Sequence, residues 1–537
     1  GLYRLRPALS NETVVRRETV SSMQRRLSRQ ATSVGVNGDF FTLADGRPSG
    51  ITLRDGVLLT PPNAARSSLG VGLDGLLDIR RVSFRATWRG LGQRRAVNFL
   101  NRAPGANGVS LFTTDWGRIT PAVAGSYAVV LSDFPVAAPG ADIVSPVTAV
   151  YQNARVGIAP GTAVLVARGN AAARLREEVP VGVNVTVRLI LQPDWAAVSD
   201  AIGGGPLLVR NGAPVFRANE AFTTSQLAPR GPRSAVGQRA DGSVLLVTTD
   251  GRQPGYSVGM TNFELALTLV RFGAVRGMAL DGGGSSTLAF EGTVLNRPSG
   301  GSERAVSNAL MLQYFGAYVA PPAEPVVSPN GDGVAEEQRL AFKIVRPSSV
   351  TVTLTGPNGG AAFQETDLRE PGAYEVPFPP PPPQPPNGEP PASAAPAQPQ
   401  PPAEGRWTLN VSAVDDQGLS SSAVRRFSVN STLGFLRLDP VRLVLRPTGA
   451  SGTIRWTQAR TAQVRVTVET MDGILVRTVA QRRFEPGEHA VIWNGMQRNG
   501  KPAAGGRYLV RVAATNGLGS VALERPLVVR RVAGPKK

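Results

Sequence analysis

The sequence predicts a multidomain chain: an α+β, β-rich N-terminal region with mixed sheets, followed by two all-β sandwiches. Three observations carry this. First, the 537 residues include 60 Gly and 45 Pro, which gives length for about three or four domains and a composition of many turns and short strands. Second, helical periodicity is confined to stretches of the first 318 residues. Third, one pattern occurs twice after about residue 321. Pro371-Gly372-Ala373-Tyr374-Glu375-Val376 matches Pro486-Gly487-Glu488-His489-Ala490-Val491, and Gly405–Ala413 matches Gly506–Ala514. The expected boundaries are 1–318, 325–430 and 434–532. Taken alone, the Pro-rich run 377–403 reads as an interdomain linker. The duplication sets it instead between paired strands, as a loop insertion in the first sandwich where the second copy has Trp493–Gly505.

Composition removes several chemistries. There is no cysteine, hence no disulfide, thiolate nucleophile or zinc–thiolate site. His489 is the only histidine and falls on a sandwich strand, where a structural role is expected; residues 1–318 contain no lysine. Acid–base chemistry in the first region therefore falls to Asp and Glu. The net charge of +19 is spread along the chain without a polybasic tract, so nucleic acid is not an expected partner. Attraction to anionic polymers fits that charge. No apolar run is long enough to span a membrane. Gly1 is not followed by a charged-then-apolar leader, so any signal peptide is expected to have been removed or never to have existed.

In chain order, a strand is expected at Leu2–Leu9 and a helix near Thr19–Gln30, with Val20, Met23 and Leu27 on one face. Thr32–Asn37 reads as a strand ending in the polar turn Asn37-Gly38-Asp39, before Phe40 and Phe41. Ile51–Leu59 alternates around Asp55-Gly56 as a hairpin does. Residues 78–193 read as a succession of strands: Val82–Trp88, Tyr127–Leu131, Val147–Val150, Ala163–Ala167 and Val183–Leu191. A turn at Gly203-Gly204-Gly205 precedes the strand Leu207–Val209, and Leu245–Thr249 ends in Asp250-Gly251-Arg252. Thr261 and Glu264 form a capping-box pattern at the start of a helix carrying Leu265, Leu269 and Phe272, which Gly273 stops. A closing strand follows near Tyr314. In the second region, Ser328-Pro329-Asn330-Gly331-Asp332-Gly333 with Glu336 and Glu337 has the spacing of either a calcium loop or a plain turn.

The organising stretch is Val275–Leu288. A short apolar run ends at Leu280 and delivers Asp281 into Gly282-Gly283-Gly284-Ser285-Ser286-Thr287. Three glycines weaken a strand but suit a turn that needs positive φ or a close approach to a ligand. Such a turn presents N–H and hydroxyl donors to anions. A carboxylate beside an anion-binding turn is an electrostatic conflict, which marks the stretch as a candidate site. A sharp turn with an Asx-type cap is the plain alternative.

Asn37-Gly38-Asp39-Phe40-Phe41, Gly203-Gly204-Gly205-Pro206, Pro232–Gly237, Asp250-Gly251-Arg252, Leu280–Thr287 and Arg304 with Asn308-Ala309-Leu310 occur in this order. Together they resemble the phosphodiester glycosidase family over about residues 1–316. Asp39 stands where many members have glycine. The two sandwiches resemble bacterial Ig-like domains of the flagellar hook-capping type. The first resemblance implies hydrolysis of a sugar 1-phosphodiester to free sugar and phosphomonoester. The expected substrate is a phosphorylated carbohydrate or cell-envelope polymer, and the expected setting is secreted or cell-envelope, with the Ig-like modules contacting surface proteins. Asp281 is the first candidate for the carboxylate at the anomeric carbon, then Asp250 and Asp39; Glu264 reads as a helix cap before it reads as a catalyst. Phosphate-binding candidates are Arg233, Arg252, Gly204, Gly205, Gly282, Gly283, Gly284, Ser285 and Ser286. Asn37, Asn308 and Arg304 are candidates for sugar contacts, and a divalent cation (Ca or Mg) could be held by the aspartates. The competing expectation is a non-catalytic surface protein that binds phosphorylated glycan and mediates adhesion.

Overall fold

The computed structural model describes residues 1–381, 401–446 and 450–532. The chain divides into two compact units, Gly1–Phe315 and Gly316–Lys537. The Pro-rich run expected as a loop insertion lies mostly outside the described residues. Of the described residues, those flanking it end the strand Gly372–Val376 and begin the strand Gly405–Asp415.

The N-terminal unit contains three five-stranded sheets and one eight-stranded sheet. The first sheet orders Tyr3–Leu9, Asn308–Tyr314, Thr32–Asn37, Leu288–Phe290 and Thr293–Val294, so the strand expected at the start pairs with the strand that closes the unit. The second contains the hairpin Thr52–Arg54 and Val57–Thr60 beside Val198–Gly203. Its turn places Asp55 and Gly56 at φ of 53° and 75°. The third sets Ala274–Ala279 between Leu207–Arg210 and Arg233–Arg239. Leu5, Val36, Leu69, Ile202, Val236, Met278, Leu280 and Leu310, drawn from all three sheets or the turns that end them, share one buried core. Burying apolar side chains from three sheets at one place brings their strand ends together.

Two helices lie where the sequence analysis expected them. Val20–Leu27 has the Thr19 hydroxyl as its N-cap, and Asn262–Arg271 starts with the Thr261–Glu264 capping box. The first buries Val20 and Met23 against the first sheet, and the second buries Leu265 and Leu269 against the third. Residues 78–193 depart from the expectation in one element, since Asn170–Glu178 is an α-helix. Three alanines and Leu175 give it strong helix formers. Only Ala172 and Leu175 sit in the main core, too short an apolar stripe to register as a period. The sheets of this unit are antiparallel in every described pairing except Phe99–Leu100 with Val109–Phe112, so they are mixed at that edge alone.

The second unit repeats one topology. A three-stranded sheet containing Leu340–Ile344 and Gly372–Val376 faces a five-stranded sheet centred on Gly405–Asp415; further on, sheets containing Gly452–Gln458 with Gly487–Trp493 and centred on Gly506–Asn516 have the same order. Each pair buries a core between its faces. In the second, Trp456 packs edge-on against Phe484 at 5.2 Å, and the His489 ring lies tilted against Trp456 at 5.4 Å with its Nε2 2.7 Å from the Glu485 carbonyl. The Ser328–Gly333 segment is a turn rather than a cation loop. Asp332 Oδ1 accepts from the Val334 N–H at 2.8 Å and its Oδ2 from the Phe435 N–H at 2.9 Å, so both oxygens are occupied by backbone donors. Trp456→Ala should lower the stability of the last module by about 3–5 kcal/mol, as expected for deleting a buried aromatic. Denaturant unfolding followed by Trp fluorescence checks this.

Candidate functional site

Three strand ends meet above the shared core. Thr32–Asn37 runs into Gly38 and Asp39, Val198–Gly203 into Gly204 and Gly205, and Ala274–Ala279 into Leu280 and Asp281. Backbone bonds join them: Asp281 N donates to the Gly38 carbonyl at 2.9 Å, Gly38 N to Asn308 O at 3.0 Å, and Gly205 N to Ala279 O at 2.9 Å. Asn37 and Asn308, the sugar-contact candidates, are fully buried within this junction. Asn37 donates to Asp281 O at 2.6 Å and accepts from Ser234 Oγ at 2.6 Å and Thr287 N at 3.1 Å. Asn308 Oδ1 accepts from Asp39 N at 2.9 Å, and its Nδ2 donates to Thr52 Oγ1 at 3.3 Å. Both therefore hold the turns that carry the carboxylates.

Asp39 is 2% exposed. One carboxylate oxygen accepts from Gly50 N at 2.6 Å. A Cβ on Gly203 would fall 2.4 Å from that oxygen, so the first glycine of its triplet makes room for the carboxylate. Burial raises the Asp39 carboxyl to about 7; the Gly50 N–H and Arg66 oppose the rise, and Asp281 adds to it. Asp281 is partly exposed, and burial raises it to about 6 against the Ser285 hydroxyl, the Gly282 N–H, Arg304 and Arg66. Asp281 thus adds to the rise at Asp39, and Arg66 opposes the rise at both.

The glycines of the second triplet make room for arginines. A Cβ on Gly284 would lie 2.3 Å from the Arg304 guanidinium, and one on Gly283, whose φ is +66°, would lie 3.2 Å from that of Arg252. Arg304 also donates to Ser285 Oγ at 3.4 Å. Arg252 is exposed and makes no side-chain hydrogen bond or ion pair with a described residue. Arg66 completes the cationic side, with its guanidinium 5.0 Å from the Phe40 ring and 4.4 Å from the Phe222 ring. The conflict of charge at this turn is resolved by cations laid on glycine backbone.

Several expected residues have other work. Arg233 donates to three main-chain carbonyls, Met260 at 3.0 Å, Gln226 at 3.1 Å and Pro229 at 2.7 Å, so it braces a loop where a phosphate clamp was expected. Asp250 accepts from Asn296 Nδ2 at 2.9 Å, the Arg297 N–H at 3.0 Å and the Tyr256 hydroxyl at 3.2 Å. Donors from neighbouring loops thus fill the second-choice carboxylate. Glu264 caps its helix and pairs with Arg230. Gly204 is buried, where a Cβ would lie 2.8 Å from Ala279 O, and the N–H groups of Gly205 and Gly283 go to Ala279 and Pro232 carbonyls. These amides do not face a ligand. Ser286 Oγ is buried without a partner among the described residues. No described cluster of three or more His, Cys, Asp or Glu could hold a metal ion, because Asp250 does not join the other two aspartates. Sequence reasoning missed Arg66: it follows Pro61-Pro62-Asn63-Ala64-Ala65, and nothing in that loop signals a site.

Residues 135–313 match the phosphodiester glycosidase family model. The match spans the Gly203–Gly205, Asp250, Asp281 and Asn308 motifs, and residues 445–517 match the FlgD Ig-like domain. The resemblances to phosphodiester glycosidases and to hook-capping Ig-like domains hold over these residues. An SPbeta prophage-derived uncharacterized protein of Bacillus subtilis is 32% identical over 182 residues, 33% of this chain and 28% of that protein. A hypothetical protein from Synechocystis aligns in structure at 25% identity and a TM-score of 0.50, covering 58% of this chain and 57% of that one. The chain thus spans well under two thirds of these relatives. The catalytic domain of a zebrafish N-acetylglucosamine-1-phosphodiester alpha-N-acetylglucosaminidase covers 57% of this chain and 71% of its own at 15% identity and a TM-score of 0.29. That likeness is too loose to argue from. Among the described residues no helix is long and apolar enough to cross a membrane. The family match supports a glycosidase-type function.

The raised carboxyls make stability depend on pH. A folded-state value above the unfolded one means that the folded protein holds the extra proton between the two values, so stability falls as pH rises through them. For Asp39 the window runs from 3.8 to about 7. Asp39→Asn should match the wild type near pH 4 and exceed it by about 2–4 kcal/mol at pH 8, measured by denaturant unfolding at both pH values.

Proposed function

We propose that the N-terminal unit hydrolyses a sugar 1-phosphodiester, releasing free sugar and a phosphomonoester. The observation that carries this reading is one pair of carboxylates raised to about 7 and about 6 beside three arginines. Near neutral pH such a pair retains a proton. Asp281, the more exposed member and the one with the lower value, is the carboxylate at the anomeric carbon, as nucleophile or as base for water. Asp39 holds the proton and keeps the pair at about a single negative charge. Breaking the C1–O bond sends its electrons onto the departing phosphate. Arg66, Arg252 and Arg304 stabilise that charge in place of the protonated acid an ordinary glycosidase needs. The proposed setting is outside the cytoplasm, on a phosphorylated carbohydrate or cell-envelope polymer, with the Ig-like modules as spacers or contacts to surface proteins.

The test is turnover of a sugar 1-phosphodiester by the full chain. Asp281→Asn should abolish it while leaving circular dichroism unchanged and the melting temperature no lower than that of the wild type, since a carboxyl raised by burial costs stability once ionised; near wild-type turnover would remove Asp281 from the chemistry. The pH–rate profile should rise through about 6 and fall above about 7, and the falling limb should disappear in Asp39→Asn. Arg252→Gln or Arg304→Gln should cost roughly 100- to 1,000-fold in kcat on the charged substrate and far less on an uncharged aryl glycoside. Arg233→Lys should instead lower both activities together with the melting temperature, since it gives up the guanidinium fork that three loop carbonyls share.

A further inference from the structure

Arg304 faces two places. One side of its guanidinium lies against Gly284, beside Asp281. It also lines an open cavity of about 650 Å³ with Arg16, Arg17, Asn11 and Asp45. Arg16 and Arg17 are exposed, and neither forms an ion pair with a described residue. The single carboxylate of the lining, Asp45, lies 3.8 Å from Arg47. The wall is tightly built: a Cβ on Gly46, whose φ is +77°, would fall 2.2 Å from the Arg16 carbonyl oxygen. Three arginines thus point to one cavity with little local neutralisation, and one of them is shared with the carboxylate pair.

Paired surface arginines are ordinary, whereas adjacent unpaired ones lining a cavity repel one another unless an anion lies among them. The proposed reaction places one phosphodiester at Asp281, so a cavity reached through Arg304 would meet the next anionic group along the substrate. We infer that this cavity binds a second phosphate of the same chain, making the favoured substrate a polymer of glycosyl phosphate repeats rather than an isolated phosphodiester. This inference rests on the hydrolase reading for what occupies the neighbouring position. The polymer runs from the carboxylate pair across Arg304 to Arg16 and Arg17. Its binding weakens with salt as counterions return to the arginines.

The test uses the full chain and two fluorescently labelled probes, an N-acetylglucosamine 1-phosphate monomer capped as its methyl phosphodiester and a hexamer of the same repeat, with binding read by polarisation at low and moderate salt. Wild type should bind the hexamer at least about tenfold more tightly than the monomer, a difference near 1.4 kcal/mol. Arg16→Gln/Arg17→Gln should erase that preference without changing monomer binding or melting temperature. Asp45→Asn, which removes the local negative charge, should tighten hexamer binding by roughly two- to threefold; a gain of binding does not arise from misfolding. Retention of the preference in the double variant, equal binding of both probes by wild type, or no gain in Asp45→Asn would each overturn the inference. So would tighter binding of an oligothymidylate of equal charge, which would make the cavity a general polyanion or nucleic-acid site. Efficient turnover of the monomer with no hexamer preference leaves the hydrolase reading standing and the cavity proposal overturned. Hexamer preference that depends on Arg16 and Arg17, with no turnover of either probe, does the reverse.

Discussion

The arrangement depends on the buried carboxamide of Asn37. It ties the Asp281 carbonyl, the Ser234 hydroxyl and the Thr287 N–H into one junction, joining the end of a first-sheet strand to a strand of the third sheet and to both ends of the glycine turn. A carboxamide offers both donors and acceptors, and here it meets a partner on each side. An apolar residue at this position would leave a buried hydroxyl and a buried N–H unsatisfied, a cost of about 1–3 kcal/mol for each. Asn308 does the corresponding work for Asp39 by accepting from its N–H. The turns that carry the carboxylates are therefore held by main-chain geometry, while Asp39 accepts from the Gly50 N–H and Asp281 from the Ser285 hydroxyl.

That geometry also sets the electrostatics. Burial lifts both acids toward neutrality, and hydrogen bonds and arginines limit the rise. Arg66 influences both acids while its guanidinium lies over the packed pair of Phe40 and Phe222 rings, where cation–π attraction replaces part of its hydration. Arg304 and Arg252 reach the turn because glycine presents no side chain in their path. The carboxylate and the anion-favouring turn coexist because the Ser285 hydroxyl and the Gly282 N–H hydrogen-bond Asp281, with Arg304 and Arg66 nearby. In the proposed reaction a phosphodiester would bring its own negative charge to Arg66 and Arg304, the arginines that moderate Asp281.

The second unit is built by repetition. Its two sandwiches repeat one strand order, and the segment around Asn330 and Asp332 packs onto Leu433 and Phe435 through hydrogen bonds of 2.8–2.9 Å. Val326 and Val334 add apolar contact with the core of the second sandwich. The oxygen-rich spacing that resembled a cation loop serves this joint, where backbone donors saturate the acid.

Much of this was legible in the residues alone. Capping boxes, strand alternation and the hairpin at Asp55-Gly56 depend on neighbours within a few positions, and the duplicated segments after residue 321 carry their own alignment. Asp281 stands out in the sequence because a carboxylate and a glycine triplet are adjacent. What decided the rest was distance through space. Asp39 and Asp281 are 242 residues apart (281 minus 39), and no local pattern says that their strands end at the same core. Asp250 has the same local signature as Asp281, yet loops around Asn296 and Tyr256 fill its acceptors. Arg233 follows the family motif but is taken up by loop carbonyls, while Arg66 sits in an unmarked loop and reaches the site. A sequence specifies which groups are present and how the nearest backbone turns. Which charges meet depends on long-range packing, because the Coulomb energy of a pair is set by separation and burial, and only the folded chain determines those.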